Sequence, residues 1–565
     1  KRVRNIYNIY MDSKYDHTKV ESRIYKAWES GGYFKPEVNP KKKPFTIILP
    51  PPNASGKMHT GNVLMIAIED LLIRWHRMKG EPTLWIPGTD HAGTETQITF
   101  ERELKKNGHS RFEYDRETLY KMIWGFVMEN KSQIENQIRQ MGASVDWSRY
   151  KFTLDKDVVQ TVRNTFQKMA ADGLIYRDNY IVNYCPNCGT TYSDIEVEHT
   201  QKNDPLYFMK YGPFTIATVR PESKFRDTAL AVNPKDKRYK DWMGKTLVIP
   251  GLLGPITMTV IPDAKVDPKF GTGIMKVTPA HDTHDFQLGK KFNLPVLPII
   301  DLSGRMDFSW FLSQANQPEK YLSRARNYHG KKVLEARKLM VEDLKIDGLL
   351  EKIEENYSHL VPTCKAGHAI EPTILPNWFI KVDSLKKPAS TVVKTGKLKI
   401  FPPWRKITYT RWMEIMHDWA ISRQNVWGIR IPAWYNIDKN PNLKISFLNS
   451  KKEVISDEIS QLLKKYSFEE IEKGLQTMMA PMNCSYIISE DKPDLRSLQT
   501  TETFDTWFSS GQWPLVTLGY PNSKDFKYFY PTSVLETGWE IFSKWVSRMV
   551  MFGFYLTKKS PFNFV

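Results

Sequence analysis

Apolar residues recur with regular spacing along the first part of the chain and predict alternating strands and helices. Residues 15–35 carry an amphipathic helix that ends at a Gly-Gly pair. Residues 45–49 predict a strand, residues 62–79 a long apolar helix, and residues 83–87 the next strand. This strand–loop–helix–strand order predicts a parallel, doubly wound unit.

The pattern changes twice further along the chain. Residues 117–145 predict a long helix, and from residue 175 short strands and turns dominate, as in ITMTVIPDAKVDPKFGTGIMKVTP. A helix returns at residues 331–345, and the α/β character resumes at residue 372. Residues 436–500 are polar and Lys-rich, which indicates a peripheral insertion. We therefore predict an α/β protein whose parallel-sheet domain is interrupted by a β-rich domain.

The composition fits a chain of several globular domains. With 565 residues, 41% hydrophobic and 25% charged, it is long enough for roughly three or four domains. The net charge of +18 has two explanations that the sequence leaves open: a polyanionic partner such as a nucleic acid, or a generally basic composition. Four Cys residues are too few for a disulfide scaffold and indicate a reducing compartment.

The two ends of the chain carry further predictions. The first residues, KRVRNIYNIYMDSKYDH, lack the apolar core of a signal peptide, and no run reaches the ~18 apolar residues of a membrane span. Met11 is a plausible natural start, which makes residues 1–10 an extension. The chain closes on KKSPFNFV, a strand-like run without a closing turn, so we expect the natural protein to continue beyond it.

An unusual loop connects the first strand to the long helix. This proline loop (residues 50–62) is PPPNASGKMHTGN, with glycines at positions 56 and 61. A helix N-terminus directs backbone N–H groups at one point, which suits a phosphate, and glycines permit close approach. The loop matches neither GxGxxG nor GxxxxGK[ST], so a dehydrogenase or P-loop enzyme is disfavoured. Its spacing alone is compatible with a nucleotide site or with a structural turn.

A second group of residues has the spacing of metal ligands. Cys185 and Cys188 form a C-x-x-C pair, and Cys364 and His368 lie in HLVPTCKAGHAIEP further along the chain. Together they offer a tetrahedral Cys₃His site for one structural Zn²⁺. The alternative is a decayed site whose thiols bind nothing.

Five motifs carry a resemblance to a known family. The proline loop resembles the PPPN…GxxHxGH loop of the class I aminoacyl-tRNA synthetases. In family order there follow WIPGTDHAGTETQ, DWAISRQNVWGIRIPAWY, DTWFSSGQWPLVTLGYP and PTSVLETGWEIFSKWVSRM. The first of these four is similar to the form in valine-specific members, where isoleucyl and leucyl enzymes differ. The resemblance extends from about residue 11 to the end of the chain.

The resemblance implies a reaction and its partners. ATP with Mg²⁺ and L-valine condense to valyl-adenylate, and the valyl group then passes to valine tRNA. Positioning and charge stabilisation supply this catalysis. A cytoplasmic monomer without membrane contact is also implied. Three other interpretations stay open: an isoleucyl-type synthetase, a tRNA-binding fragment with impaired catalysis, and a free-standing editing protein.

The resemblance also assigns residues to the synthetic site. ATP is bound by Gly56, His59, Gly61 and Asn62, of which His59 and Asn62 are the catalytic residues at the α-phosphate. The family usually has His at the position of Asn62, and Asn keeps a donor but not the charge. The amino acid is bound by Pro51, Asn53, Asp90, Trp427, Ile541 and Trp545. Asp90 takes the α-ammonium; a helix N-cap role for Asp90 and core packing for both Trp residues are the alternatives.

A valine pocket needs a second site, because it rejects threonine only about a hundredfold. TVRPES and GTGIMKVTPAHDTHDFQ resemble the family's editing domain, with Val219 and Ser223 as departures from TTRPET. The implied editing residues are Thr218, Arg220, Lys276, Thr278, Asp282 and Asp285. Asp285 takes the ammonium of the misacylated residue, while Lys276 and Asp282 read the threonine hydroxyl or orient the water. Arg220 faces the tRNA end. In isolation, HDTHD would be an acidic capping turn.

The resemblance implies a domain plan as well. Residues 1–35 are an N-terminal extension and leading helix. The two halves of a Rossmann catalytic domain are residues 36–175 and 373–565, and the second half contains the peripheral insertion 436–500. A zinc-knuckle connector is formed by residues 176–200 and 356–372, and the editing domain by residues 201–355. The KMSKS loop of the family, whose lysines hold the ATP phosphates, has no match before residue 565. We therefore expect this chain alone to activate valine poorly.

Overall fold

The computed structural model describes residues 14–192 and 196–565, which form two compact units. The first unit is Lys1–Tyr176 with Phe379–Val565, and the second is Arg177–Trp378. The chain passes from one unit to the other within the strands Ile175–Cys185 and Glu371–Ile380. The expected start at Met11 lies outside the described residues.

A parallel sheet supports the proline loop in the first unit. Its four strands, in spatial order, are Thr83–Ile86, Phe45–Ile48, Thr532–Val534 and Phe562–Phe564. All three neighbouring pairs are parallel. The strand Phe45–Ile48 is buried along its whole length, as expected for a parallel strand covered on both faces. The two predicted strands beside the proline loop and their parallel pairing are confirmed.

The three long helices predicted for this unit are confirmed, with somewhat different ends. They are His17–Ser30, Thr60–Met78 and Arg116–Gln140. Carboxylate caps fix two of the starts: Asp16 accepts from the Thr18 N–H at 3.1 Å, and Asp115 accepts from the Thr118 N–H at 2.9 Å.

Shorter elements complete the first unit. The further α-helices are Gly93–Lys106, Lys156–Ala171, Asp383–Lys394, Arg405–Ile415, Ile459–Leu462, Phe468–Gly474, Thr506–Ser510, Trp513–Val516, Lys524–Phe529, Trp539–Ile541 and Ser547–Thr557, with a π-helical turn at Phe542–Val546. The further strands are Gly88–Thr89, Lys151–Phe152, Trp419–Ala420, Ser422–Arg423, Ala433–Asn436, Lys444–Leu448, Val454–Glu458, Leu475–Met479, Ile487–Ile488, Ser497–Gln499 and Thr503–Phe504.

Residues 436–500 are better ordered than their sequence pattern indicates. They contain an antiparallel sheet of Lys444–Leu448, Val454–Glu458 and Leu475–Met479. Ile445 and Phe447 alternate with polar residues and are buried. This alternation lasts only a few residues between polar turns, so it gives a weak signal in a sequence window.

The second unit is β-rich, as predicted. Apart from the two strands within which the chain passes between the units, its strands are Thr190–Tyr192, Glu198–Tyr211, Phe214–Thr218, Ala229–Val232, Thr246–Ile249, Ile256–Pro262, Ile274–Val277 and Leu350–Thr363. Its α-helices are Thr283–Phe292, Ser309–Leu312, Glu319–Tyr328 and Val333–Ile346. The last of these confirms the helix predicted at residues 331–345. One core packs strand residues such as Met209 and Leu230 against helix residues such as Met340.

Within residues 14–192 and 196–565, no helix has the length and apolar character needed to cross a bilayer.

Candidate functional site

The proline loop leaves the carboxyl end of its strand beside the end of the neighbouring strand. An isolated parallel bridge joins Asn53 to Asp90. The Asp90 N–H donates to the Pro52 carbonyl at 2.9 Å, and the Ala54 N–H donates to the Asp90 carbonyl at 2.8 Å. The fold thus brings two predicted amino-acid-binding residues together at the carboxyl edge of a parallel sheet, where open α/β sheets bind ligands.

His59 and Asn62 cap the helix Thr60–Met78 reciprocally. His59 Nδ1 accepts from the Gly61 N–H at 3.1 Å, and Asn62 Oδ1 accepts from the His59 N–H at 3.1 Å. Because Nδ1 is an acceptor, the neutral ring carries its proton on Nε2, and the exposed ring presents that donor to solvent. A Cβ on Gly61 would lie 2.9 Å from His59 Cε1, whereas a Cβ on Gly56 would meet nothing within 4 Å.

Asp90 is buried in a polar pocket. Its Oδ1 accepts from the Ala92 N–H at 3.0 Å and from the Thr153 hydroxyl at 3.2 Å. The following helix has Ala92 at its N-cap position and no side-chain cap, so Asp90 is not the N-cap residue. Asn53 Nδ2 donates to Glu95 Oε2 at 3.0 Å. Two carboxylates beside an amide favour a cationic group such as an ammonium.

Trp427 lies next to this pocket. Its Nε1 donates to the His91 carbonyl at 2.8 Å, and its ring centroid is 5.1 Å from that of Tyr120 and 6.1 Å from that of Trp124. Its backbone N–H donates to Gln97 Oε1 at 3.0 Å. The side chain is fully buried, so it also packs the core.

Two of the three remaining predicted pocket residues lie on another helical segment. Trp545 is buried and donates from Nε1 to the Ser510 carbonyl at 2.9 Å, and Ile541 is half-buried. Among the described residues, no hydrogen bond or ring contact joins Trp545 to Trp427 or Asp90. Pro51 is half-buried at the start of the proline loop.

A strand and a helix of the second unit bring a further polar group together. The Thr278 N–H donates to Asp285 Oδ2 at 2.7 Å, and Lys276 Nζ donates to the Thr278 hydroxyl at 2.8 Å. Lys276 Nζ also lies 3.4 Å from Asp227 Oδ1. Both carboxylates are buried. Three of the predicted editing residues therefore share one network, with Asp227 as a member that the sequence did not reveal.

Asp282 occupies the N-cap of the helix Thr283–Phe292. Its Oδ1 accepts from the backbone N–H groups of His284 at 2.8 Å and Asp285 at 3.0 Å. Asp282 therefore has the capping role that the sequence offered as an alternative to a role in editing. Burial, followed by the charge of Asp282, raises the pKa of Asp285 to about 7.

Arg220 is held by carboxylates. Its Nε donates to Glu222 Oε1 at 3.1 Å, and its Nη2 donates to Glu371 Oε1 at 2.6 Å. Its backbone N–H donates to the Thr218 hydroxyl at 3.0 Å. Sequence reasoning missed both glutamates: Glu222 lies within TVRPES and could have been noticed, whereas Glu371 is 151 residues away along the chain.

The four predicted metal ligands also come together in the second unit. Their ligand atoms all lie within 4.8 Å of one another. Cys188 Sγ is 3.8 Å from Cys364 Sγ and 3.5 Å from His368 Nδ1, which in turn lies 3.9 Å from Cys185 Sγ. Zinc bound tetrahedrally by thiolates and imidazole places its ligand atoms about 3.5–3.8 Å apart. This cluster therefore has the composition and spacing to bind zinc.

The family model described as tRNA synthetases class I (I, L, M and V) matches residues 23–565. The chain belongs to this family. The α/β fold expected of a class I tRNA synthetase is confirmed by the parallel sheet of the first unit and the antiparallel sheets that accompany it.

Curated relatives of this class I synthetase chain are named valine–tRNA ligase. The one from Clostridium tetani is 39% identical over 565 residues, covering 99% of this chain and 58% of the relative. The one from Carboxydothermus hydrogenoformans is 40% identical over 561 residues, covering 98% and 58%. A chain of Agrobacterium radiobacter K84 agnB2 LeuRS is similar in structure at a TM-score of 0.44 and 15% identity, over 97% of this chain and 67% of that one. The chain thus spans about 58% of the length of these curated relatives.

Proposed function

We propose that this chain is the part of a valine–tRNA ligase that forms valyl-adenylate, charges valine tRNA and hydrolyses threonyl-tRNA. The observation that carries the proposal is the Asn53–Asp90 bridge at the carboxyl edge of the sheet, beside the helix N-terminus of the proline loop. The valine–tRNA ligases at about 39% identity support the choice of amino acid. An isoleucyl-type enzyme remains the alternative that the experiment below separates.

In the proposed synthetic reaction, this chain positions ATP and valine for direct attack. The buried Asp90 carboxylate binds the α-ammonium of valine, and Asn53 lies beside it. The valine carboxylate attacks the α-phosphorus of ATP, and pyrophosphate leaves with the electron pair of the broken P–O bond. The Nε2–H of His59 and the amide of Asn62 donate to the α-phosphate as charge develops there. Gly56 and Gly61 would leave room for the phosphates, and Mg²⁺ bound with ATP would neutralise part of their charge.

The proposed specificity pocket is apolar and small. Pro51, Trp427, Ile541 and Trp545 would surround the valine side chain. Such a pocket excludes isoleucine by size but accepts threonine at about one hundredth of the efficiency. Hydrolysis in the second unit would remove the resulting error.

In the proposed hydrolytic site, Asp285 binds the ammonium of the threonyl ester. Water adds to the ester carbonyl, the bond to the tRNA ribose breaks, and the released ribose oxygen takes a proton. Lys276 and Thr278 would read the threonine hydroxyl or orient that water. Asp282 would act by holding the first turn that carries Asp285, since its carboxylate is engaged there. Thr218 and Arg220 would face the tRNA end.

We also propose that Cys185, Cys188, Cys364 and His368 hold one structural Zn²⁺. All three thiols are buried and unpaired by disulfides, which agrees with a reducing, cytoplasmic location. A closed four-ligand site contributes stability and has no position for a reactant. A monomer is the proposed state.

Binding of adenylate analogues tests the choice of amino acid without requiring turnover. We would titrate non-hydrolysable valyl-, threonyl- and isoleucyl-adenylate analogues by calorimetry. The expected order is valyl tightest, threonyl weaker by about a hundredfold or less, and isoleucyl weakest. Asp90→Asn should abolish binding of all three, while Asp241→Asn, an exposed residue of the second unit, should not. Tightest binding of the isoleucyl analogue would favour the alternative.

A further inference from the structure

A cavity of about 640 Å³ lies in the first unit, outside the residues assigned above. Its lining comes from the helices Arg116–Gln140, Lys156–Ala171 and Phe468–Gly474 and from residues 426–430. Among the described residues that line it, none belongs to the groups proposed for ATP or valine. The volume is in the range of small-molecule sites.

Three half-buried arginines line this cavity, and we call them its inner wall. Arg116 donates to two backbone carbonyls at 3.1 and 3.2 Å, and Arg430 donates to two others, both at 2.6 Å. In the part of the chain that the structure describes, no carboxylate forms a hydrogen bond with either one. Arg163 donates to Glu490 Oε1 at 2.7 Å, but its buried Nε has no acceptor among residues 14–192 and 196–565. The inner wall therefore carries more positive charge than its bonded partners balance.

Burial and the charge of a neighbouring arginine lower the pKa of two of these arginines. Burial, then the charge of Arg430, holds the pKa of Arg116 well below its usual range. Burial, then the charge of Arg163, lowers the pKa of Arg430 to about 10. The charge of Glu472 raises the pKa of Arg430 and offsets part of this effect. Buried charge that is only partly balanced is costly, and an anion placed between the guanidinium groups would relieve that cost.

The exposed charged residues of the lining mark the cavity mouth. Glu117 and Glu472 lie there, and their carboxylates are already paired with lysines outside the cavity, at 2.6 and 2.7 Å. Glu469 adds a third carboxylate and Lys473 an ammonium, and Leu154 and Val159 are apolar residues of the lining. A long polyanion would meet the mouth carboxylates, whereas a compact anion reaches the arginines beyond them.

We propose that this cavity binds a small ligand through a phosphate or carboxylate head group held by Arg116, Arg163 and Arg430. The apolar walls would contact the rest of the ligand. The lining contains no proline-loop residue, although its Tyr120 ring lies 5.1 Å from the ring of Trp427 in the proposed valine pocket.

Calorimetric titration of the whole chain with inorganic phosphate, and in parallel with acetate, tests this site and distinguishes the two head groups. Phosphate binding should be weakened at least about tenfold by Arg163→Gln, which removes a charge-assisted donor. Glu490→Gln is the matched variant, because it removes the carboxylate that competes for the same guanidinium; it should tighten binding severalfold. His59→Ala, in the proline loop, should leave this binding in place.

The proposal would be overturned if phosphate bound with the same affinity to the unchanged chain, Arg163→Gln and Glu490→Gln, and if acetate did the same. If Arg163→Gln fails to fold, as judged by circular dichroism, the Glu490→Gln result decides alone: tighter binding supports the site, and unchanged binding contradicts it. An RNA hairpin is the comparison ligand. Arg163-dependent binding of the hairpin without binding of phosphate or acetate would contradict a small-ligand site.

Discussion

Asp285 and Lys224 are ionisable side chains that the second unit buries in one region. Asp285 is 5% exposed and Lys224 is 2% exposed. Lys224 Nζ has no acceptor among the described residues and lies 3.3 Å from the ring centroid of Tyr211, whose hydroxyl donates to Asp227 Oδ2 at 2.7 Å. Burial raises the pKa of Asp285 to about 7 and lowers the pKa of Lys224 to about 7.

Asp285 predicts a pH dependence of hydrolysis. Only the carboxylate binds an ammonium, and its pKa is raised to about 7. The kcat/KM for threonyl ester hydrolysis should therefore rise with pH up to about 7 and then level. Asp285→Asn should give a low rate without this rise. A profile for Asp285→Asn that still rises through pH 7 would assign the ionisation to another group.

Lys224 predicts a pH dependence of stability. Burial lowers its pKa to about 7, so between about pH 7 and 10.5 the unfolded chain binds more protons and the free energy of unfolding increases with pH. Lys224→Met should raise the free energy of unfolding at pH 7 by on the order of a few kcal/mol and reduce this slope. Urea unfolding at pH 7 and pH 9 measures both. A destabilised variant would show that the ammonium–Tyr211 contact outweighs burial.

At the scale of elements, the proline loop depends on a close approach between Gly61 and His59. A Cβ at position 61 would lie 2.9 Å from the imidazole and displace it. Gly61→Ala should therefore weaken binding of the valyl-adenylate analogue about tenfold or more relative to the unchanged chain. Gly125→Ala, at a helix position with open space around it, is the control and should have little effect. Equal binding of the analogue by the unchanged chain, Gly61→Ala and Gly125→Ala would show that the position of His59 does not matter for binding.

The elements that the sequence predicted are those with long or fully apolar patterns. Phe45–Ile48 and Thr60–Met78 are examples, and their strand–helix order also indicated the parallel pairing. The short strands in residues 436–500 were missed because their alternation is too brief. Sequence distance limits the prediction of the site as well. His59 and Asn62 are close in sequence and could be predicted to act together, whereas the bond from Arg220 to Glu371 depends on tertiary folding.

At the scale of the whole molecule, each unit has its own stabilising features, and the Cys₃His cluster belongs to the second. We expect about one zinc per chain by mass spectrometry of the metal. Chelation or Cys188→Ser should lower the unfolding temperature of the second unit and leave that of the first nearly unchanged. Cys484→Ser, at a buried thiol outside the cluster, should keep the zinc. Full stability after complete removal of metal would contradict a structural zinc.

The proposed function makes valine tRNA the substrate of this chain and threonine the error that it corrects. The most direct measurement compares hydrolysis of threonyl and valyl esters on valine tRNA by the unchanged chain and by Asp285→Ala. We expect the unchanged chain to cleave the threonyl ester much faster than the valyl ester, Asp285→Ala to lose this cleavage, and Asp241→Ala to keep it. Equal cleavage of both esters, or threonyl hydrolysis that survives Asp285→Ala, would contradict it.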